Sequence, residues 1–373
     1  MVETGSVTGD APPRRRPSLA RRLLALGLGL VAAFVLGEVA LRLLGKPRFY
    51  LAHSSPPQFS TLGLADDVLM YRNKESETIR FVYDGDTRGY FGPTCQVDHR
   101  TNSLGFRGPE FSAKLDGATF RIAFLGDSFT FGEGVRFSDT TSDVTRRLLE
   151  QALGGRTFET LNFGVGGHNS IQAAYVLEAF ALPLEPDLVV LGYVLNDAEA
   201  PILQWNETQQ RVNRRAIADE QVGALVPPDS PLYRLRLAQL VWKSLRSRSR
   251  TSGTVDAYHG LYAEDARWWR RNRESLRALV ALCVEREIPC YVLGWPVFVQ
   301  LDESYPFRAI HDQVGAIVEE AGGTWLDLEP VFRGQRASSL WVHPTDHHPN
   351  EIAHRIAAEA LVERLREDGI LDG

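Results

Sequence analysis

From residue 121 onward, short apolar runs alternate with stretches whose apolar positions recur every three or four residues. The apolar runs IAFLG (122–126), FETLNF (158–163), LVVLGY (188–193), CYVLG (290–294) and TWLDL (324–328) are too short for buried helices and predict strands. Between them, Val144, Leu148 and Ala152 recur at four-residue steps. Trp269, Asn272, Leu276, Leu279, Val280 and Cys283 form a second helical stripe, and Ile352, Ile356 and Ala360 a third, with Pro349 expected at its first helical position. Strands without strict alternation, separated by amphipathic helices, predict a parallel sheet covered on both faces. There is no internal repeat.

Upstream the pattern changes. TIRFVY (78–83), followed by DGDTRG, predicts a hairpin, and TNSLGFRG (101–108) a structured loop, while Ser54–Pro57 reads as a linker. Residues 23–44 are almost continuously apolar, broken only by Glu38 and Arg42 on one helical face, and supply the roughly 20 residues that cross a bilayer. Five arginines precede them (14, 15, 16, 21, 22). This predicts a cytoplasmic basic tail over 1–22, a transmembrane anchor over 23–44, a linker and N-terminal extension over 45–120, and a domain over 121–373 outside the cytoplasm, at the periplasm or cell surface. A cleaved signal peptide is the alternative, but no small-x-small site ends the run. Residues 198–264 interrupt the strand–helix rhythm with Pro227, Pro228 and Pro231, then six bases from Arg234 to Arg250 without an acid. This insertion is read as a solvated helix in the first instance, and as a membrane-surface element in the second.

Composition narrows the choice. With 373 residues and 44% apolar content the chain can bury a full core, and its net charge of −6 excludes general nucleic-acid binding. Three cysteines make no disulfide scaffold and no zinc pattern; Cys283 and Cys290 read as small core residues and Cys95 as a free thiol.

In open parallel sheets, ligands collect at the carboxyl ends of the strands. The candidate chemistry lies there: Gly126-Asp127-Ser128 after the first strand, the glycines of NFGVGGHNS (162–170) after the second, Asn196-Asp197 after the third, and HPTDHHPN (343–350) before the last helix. These blocks, in this order, resemble the SGNH hydrolases, also called the GDSL esterase/lipase family, over roughly residues 118–365. Phe129 stands where that family commonly has leucine, and Thr345 where its Asp-x-x-His block has the acid, which makes Asp346-x-His348 a shortened variant.

The resemblance implies a flavodoxin-like, three-layer α/β sandwich with a parallel sheet. It implies Ser128 as nucleophile, His348 as base, Asp346 as its partner, and an oxyanion hole from Ser128, Gly167 and Asn196, with Gly164 and Gly166 as neighbouring alternatives to Gly167. No metal or other cofactor is implied, and the expected partner is an acyl-ester substrate, an acylated glycan or lipid. A serine hydroxyl needs a base to become nucleophilic, and activity should fall as His348 protonates, near pH 6.5 if the imidazole is unperturbed. Three rivals remain. The same residues could pass the acyl group to a glycan of the cell envelope as an O-acyltransferase, or remove acetyl groups as a deacetylase. A non-catalytic protein could bind glycans on Trp295 and Trp341. His343, Asp346, His347, His348 and His354 could instead hold a metal. A nucleotide site is excluded by the lack of Gly-Lys-Ser/Thr and of a third correctly spaced glycine after the first strand.

Overall fold

The structure, a computed structural model, describes residues 18–45, 52–54, 59–65, 68–83, 85–111, 119–201 and 234–371. Most of the expected basic tail, most of the linker around 54–57 and the proline-rich part of the insertion (202–233) lie outside the described residues. The chain divides into two compact units, one from residues 1–48 and 224–247, the other from 49–223 and 248–373.

In the first unit, helix Leu19–Leu43 is long and apolar enough to cross a membrane or serve as a signal sequence. Glu38 is its one buried residue. Its carboxylate accepts from Arg42 Nε at 2.8 Å and from the backbone N–H groups of Arg236 and Leu237, both at 3.0 Å. A carboxylate there satisfies amide donors that the start of helix Arg236–Leu261 leaves without helical acceptors.

The second unit is built on five parallel strands: β6 (Thr119–Gly126), β7 (Thr157–Asn162), β8 (Leu188–Tyr193), β9 (Cys290–Gly294) and β10 (Thr324–Asp327). Their order across the sheet is β7-β6-β8-β9-β10, every pairing parallel, as in flavodoxin-like doubly wound sheets. Every residue of β8 and β9 is buried, so no polar alternation is possible, and the runs LVVLGY and CYVLG are apolar for that reason. The helical stripes form Thr141–Ala152, Arg267–Glu285 and Glu351–Glu367. The order reverses between β6 and β8, and such a switch point opens a crevice at the strands' carboxyl ends. The end of the insertion joins this core: Tyr262 exchanges a 2.7 Å hydrogen bond with Tyr193 and donates to the Leu195 carbonyl at 3.0 Å.

The segment before the sheet is an antiparallel extension. Strand β2 (Phe59–Ala65) pairs with β3 (Val68–Asn73), and β4 (Thr78–Tyr83) lies between β1 (Ala52–Ser54) and β5 (Gln96–Arg100). Along β4, Ile79, Phe81 and Tyr83 turn inward while Arg80 pairs with Asp98 on β5. These inward residues, with Phe91 and Val97, form a second hydrophobic cluster with Phe131, Val135 and Val342 of the sheet domain. The loop TNSLGFRG lies beside β7, with Arg107 bridged to Asn162. The extension therefore packs on the segments that carry the candidate chemistry. Cys95, Cys283 and Cys290 are all free, the last two buried.

One expectation is displaced. Pro349 ends a strand, and Asn350 is the N-cap of the last helix, accepting from Ile352 and Ala353 N–H at 3.0 and 3.1 Å.

Candidate active site

The corner after β6 is shaped by close packing as much as by chemistry. Gly126 sits at φ +144°, and a side chain there would place its Cβ 2.4 Å from Thr130 Oγ1 and 2.8 Å from the Gly192 carbonyl. Asp127 caps the one-turn helix Ser128–Phe131 by accepting from Phe129 N–H at 2.8 Å. The helix ends on Gly132 in the left-handed conformation. Ser128 is thereby held at the carboxyl edge of the sheet, beside the switch point.

Asn162, at the end of β7, braces this corner from the next strand. Its side-chain amide donates to the Thr130 carbonyl at 2.7 Å and to Ser142 Oγ at 3.1 Å, while its Oδ1 accepts from Gly164 N–H at 3.0 Å. Gly164 abuts the helix, since a Cβ there would lie 2.2 Å from the Phe131 nitrogen. Val165 N–H donates to the Gly126 carbonyl. Gly167 follows at φ +79°. Asn196 lies in the 3-10 turn Leu195–Ala198, where its Nδ2 reaches Asp127 Oδ2 at a long 3.4 Å and its buried Oδ1 has no partner among the described residues.

The histidine block is a strand ribbon. β11 (Trp341–His343) pairs with β12 (Asp346–Pro349), and this two-stranded sheet is separate from the five-stranded one. Side chains two apart on a strand point to the same face. Asp346 and His348 therefore share a face, and an Asp-x-His spacing suffices for contact. His348 Nδ1 lies 2.6 Å from Asp346 Oδ1, and Nε2 lies 2.9 Å from Ser128 Oγ. His347 turns to the other face and stacks on Trp341, ring centroids 3.9 Å apart.

The other residues of the suggested metal cluster are dispersed: His343 contacts Thr345 and His354 contacts Thr141, each at 2.8 Å. Among the described residues the only grouping with metal-ligating proximity is Glu133, Asp346 and His348, which includes the pair just described. Trp295 is 2% exposed within rings from Phe129, Phe298, Phe332 and His354, so it is a core residue rather than a platform. Phe129 also touches the His348 ring, placing an apolar wall beside the serine.

Sequence reasoning missed Glu133, whose Oε1 lies 4.0 Å from His348 Nδ1. It stands five residues past Ser128 in a turn that no periodicity distinguishes. The carboxylates set the proton affinity of this site. Burial alone would depress the imidazole, but the charges of Glu133 and Asp346 and the hydrogen bond to Asp346 together push its pKa up to about 10. Asp346 responds oppositely: burial raises it, and the His348 charge with hydrogen bonds from His348 and Tyr83 outweighs that, so its pKa is lowered. Burial raises the Glu133 carboxyl, opposed by His348 and assisted by Asp346 and Asp127. The expectation of a titration near pH 6.5 thus moves upward.

The glycine loop through Gly164, the Asn196 turn and the His348 ribbon each touch the serine corner. The sequence profile of the GDSL-like Lipase/Acylhydrolase family matches residues 124–356, more than half of the chain. The chain belongs to that family. As a member of this GDSL family it is a carboxylic ester hydrolase with an α/β fold. No curated protein matches the chain. Similar solved structures include a two-domain esterase active on acetylated mannans (15% identity, TM-score 0.41, 68% of this chain and 50% of that one). Others are an acetylxylan esterase from Geobacillus stearothermophilus (16%, 0.40, 70% and 97%) and the psychrotrophic esterase EstA from Pseudoalteromonas sp. (13%, 0.38, 66% and 97%). The chain spans half the length of the two-domain esterase.

Proposed function

We propose that this GDSL hydrolase cleaves its ester by forming an acyl-enzyme on Ser128, with His348 as base and Asp346 as its orienting partner. The observation that carries this reading is the pair of contacts on one imidazole, Nε2 to Ser128 Oγ and Nδ1 to Asp346. His348 Nε2 takes the hydroxyl proton as Oγ bonds to the carbonyl carbon, and returns it to the alcohol oxygen as the ester C–O bond breaks. Water then repeats the sequence on the acyl-serine, freeing the acid and the serine. The developing oxyanion is met by the Ser128 and Gly167 N–H groups and the Asn196 amide. In support, Gly164 and Val165 N–H are committed to Asn162 and Gly126, and among the described residues the Asn196 amide makes only its long contact to Asp127. One such donor is typically worth about 3 kcal/mol of transition-state stabilisation.

The basic residues before Leu19–Leu43 favour a single-pass anchor with its N-terminus in the cytoplasm and the hydrolase unit outside. The test of the catalytic reading is reaction of the detergent-solubilised full chain with a fluorophosphonate, beside Ser128→Ala and His348→Ala. Labelling of the unmodified chain alone, with release of acid from p-nitrophenyl acetate, is the expected result. Undiminished labelling of Ser128→Ala would reject Ser128 as the nucleophile.

A further inference from the structure

The acid and base of this site ride on a ribbon that the main sheet does not hold. β11 and β12 hydrogen-bond to each other and to none of the five parallel strands. An isolated two-stranded ribbon is marginally stable, so something else must fix Asp346 and His348 to within the tolerance of a hydrogen bond. Among the described residues, Asn350, Phe298 and Ser128 of the sheet domain supply part of that support, and the N-terminal extension supplies another part. Arg88 forms a two-pronged ion pair with Glu351, both contacts 2.8 Å, and donates to the Val342 carbonyl of β11 at 3.3 Å. Val342 is fully buried in the extension's hydrophobic cluster, and the Tyr83 ring lies 5.1 Å from that of His343. The last residue of β4 then reaches the carboxylate itself: Tyr83 O–H donates to Asp346 Oδ2 at 2.7 Å.

Asp346 has its acceptors divided. Oδ1 takes His348 Nδ1 at 2.6 Å and His348 backbone N–H at 3.2 Å, and Oδ2 takes the phenol. A carboxylate held through one oxygen alone can swing about its Cβ–Cγ bond; one held through both cannot do so without breaking a charge-assisted hydrogen bond. The shortened Asp-x-His spacing makes this constraint more consequential, because acid and base shift together if the ribbon shifts. Burial and the neighbouring Asp346 charge raise the phenol's pKa, so Tyr83 remains a donor wherever the site works. The ring of Phe91 stacks on Tyr83 at 4.5 Å without touching the Tyr83–Asp346 hydrogen bond.

We propose that Tyr83 is a positioning residue of the active site, a fourth member of the chain Tyr83–Asp346–His348–Ser128 supplied by the N-terminal extension. This rests on the serine-hydrolase reading above and extends it to a residue outside the family-matched segment, 124–356. The duller account is that Tyr83 is a core ring whose hydroxyl found a convenient acceptor.

The two accounts separate in a double-mutant cycle read by the second-order rate of fluorophosphonate labelling on the full-length protein, normalised to correctly folded chain. Tyr83→Phe removes only the hydroxyl, and the loss of a hydrogen bond to a charged group should slow labelling on the order of tenfold. In an Asp346→Asn background the same change should matter less than about twofold, because its route to the imidazole is already cut. With p-nitrophenyl acetate the loss should fall on kcat with KM unchanged. Phe91→Leu loosens the ring packed on Tyr83 but keeps the hydroxyl; it should lower the melting temperature and spare the labelling rate. Retention of the wild-type rate by Tyr83→Phe, an equal loss in both backgrounds, or a matching loss in Phe91→Leu would each overturn the proposal. Failure of the unmodified protein to label would instead count against the serine reading, and so is distinguishable.

Discussion

Replacing Glu133 with glutamine should raise activity at neutral pH, which is the reverse of the usual outcome for a polar residue beside a catalytic base. Glu133 Oε1 lies 4.0 Å from His348 Nδ1, and its side chain is 26% exposed. At that separation two unit charges interact by about 4 kcal/mol at the effective dielectric of a protein surface and by about 1 kcal/mol in bulk water. The partial exposure argues for a value between them, about 2 kcal/mol, or roughly 1.5 pKa units on the imidazole. The sign follows from what catalysis needs. On the proposed mechanism His348 acts as a base only when neutral, and its pKa is pushed up to about 10, so at pH 7 the reactive form is the minor one. Removing one carboxylate lowers that pKa and enlarges the neutral fraction by about tenfold or more, because below the pKa it grows tenfold per unit.

Glutamine keeps the size of the side chain, so packing is preserved. The assay is kcat/KM for p-nitrophenyl acetate across the alkaline range, which reports the ionisations of the free enzyme. The expected result is an acidic limb well above pH 6.5 in the unmodified protein, shifted to lower pH in Glu133→Gln, with kcat/KM at pH 7 increased. A limb that does not move, or a fall in kcat/KM at pH 7, would refute the electrostatic account.

Arg107 is fully buried and donates to the carbonyls of Phe131 and Gly132 at 2.8 and 2.5 Å and of Val135 at 2.6 Å, so Arg107→Met should strip the Phe131 and Val135 carbonyls of this donor and leave Gly132 only the Val135 N–H at 3.3 Å. We expect a loss of about 3 kcal/mol or more, read as a lower urea midpoint; an unchanged midpoint would contradict it. Gly126→Ala should cost about 2 kcal/mol and displace the serine corner, since its Cβ would meet Thr130 and Gly192 in a backbone region that side chains rarely adopt. A Gly126→Ala protein with wild-type thermal stability and labelling rate would show that the corner yields without cost.

The sheet was legible because fully buried strands leave an unambiguous apolar signature: CYVLG lies on β9 residue for residue, and LVVLGY on β8. Ser128, Asn196 and His348 could be picked out as candidates because they stand at strand ends or just before a helix, where a polar residue has no packing role to explain it. The shortened acid–base spacing looked like a defect in the sequence. It became intelligible only when residues 346–349 proved to be a strand, whose two-residue period supplies the contact that a loop would have to arrange. Tyr83, Arg107 and Glu133 were illegible for a different reason. Tyr83 completes an ordinary alternating strand, Arg107 closes a loop with no periodicity, and each takes its significance from a partner far away in the chain. Tyr83 and Asp346 are 263 positions apart.

That separation bears on the order of events during synthesis. Ser128 meets His348, its base on the proposed mechanism, 220 residues later, and the helix that follows the ribbon docks back on Thr141 through His354. A nascent chain can therefore complete the first strands of its sheet while Ser128 has neither Asp346 nor His348 beside it. On the proposed mechanism, hydrolytic competence arrives only when the ribbon at 341–349 emerges and closes onto an extension made long before. Until then the unit is an unarmed precursor, and any chain broken off before the ribbon remains one.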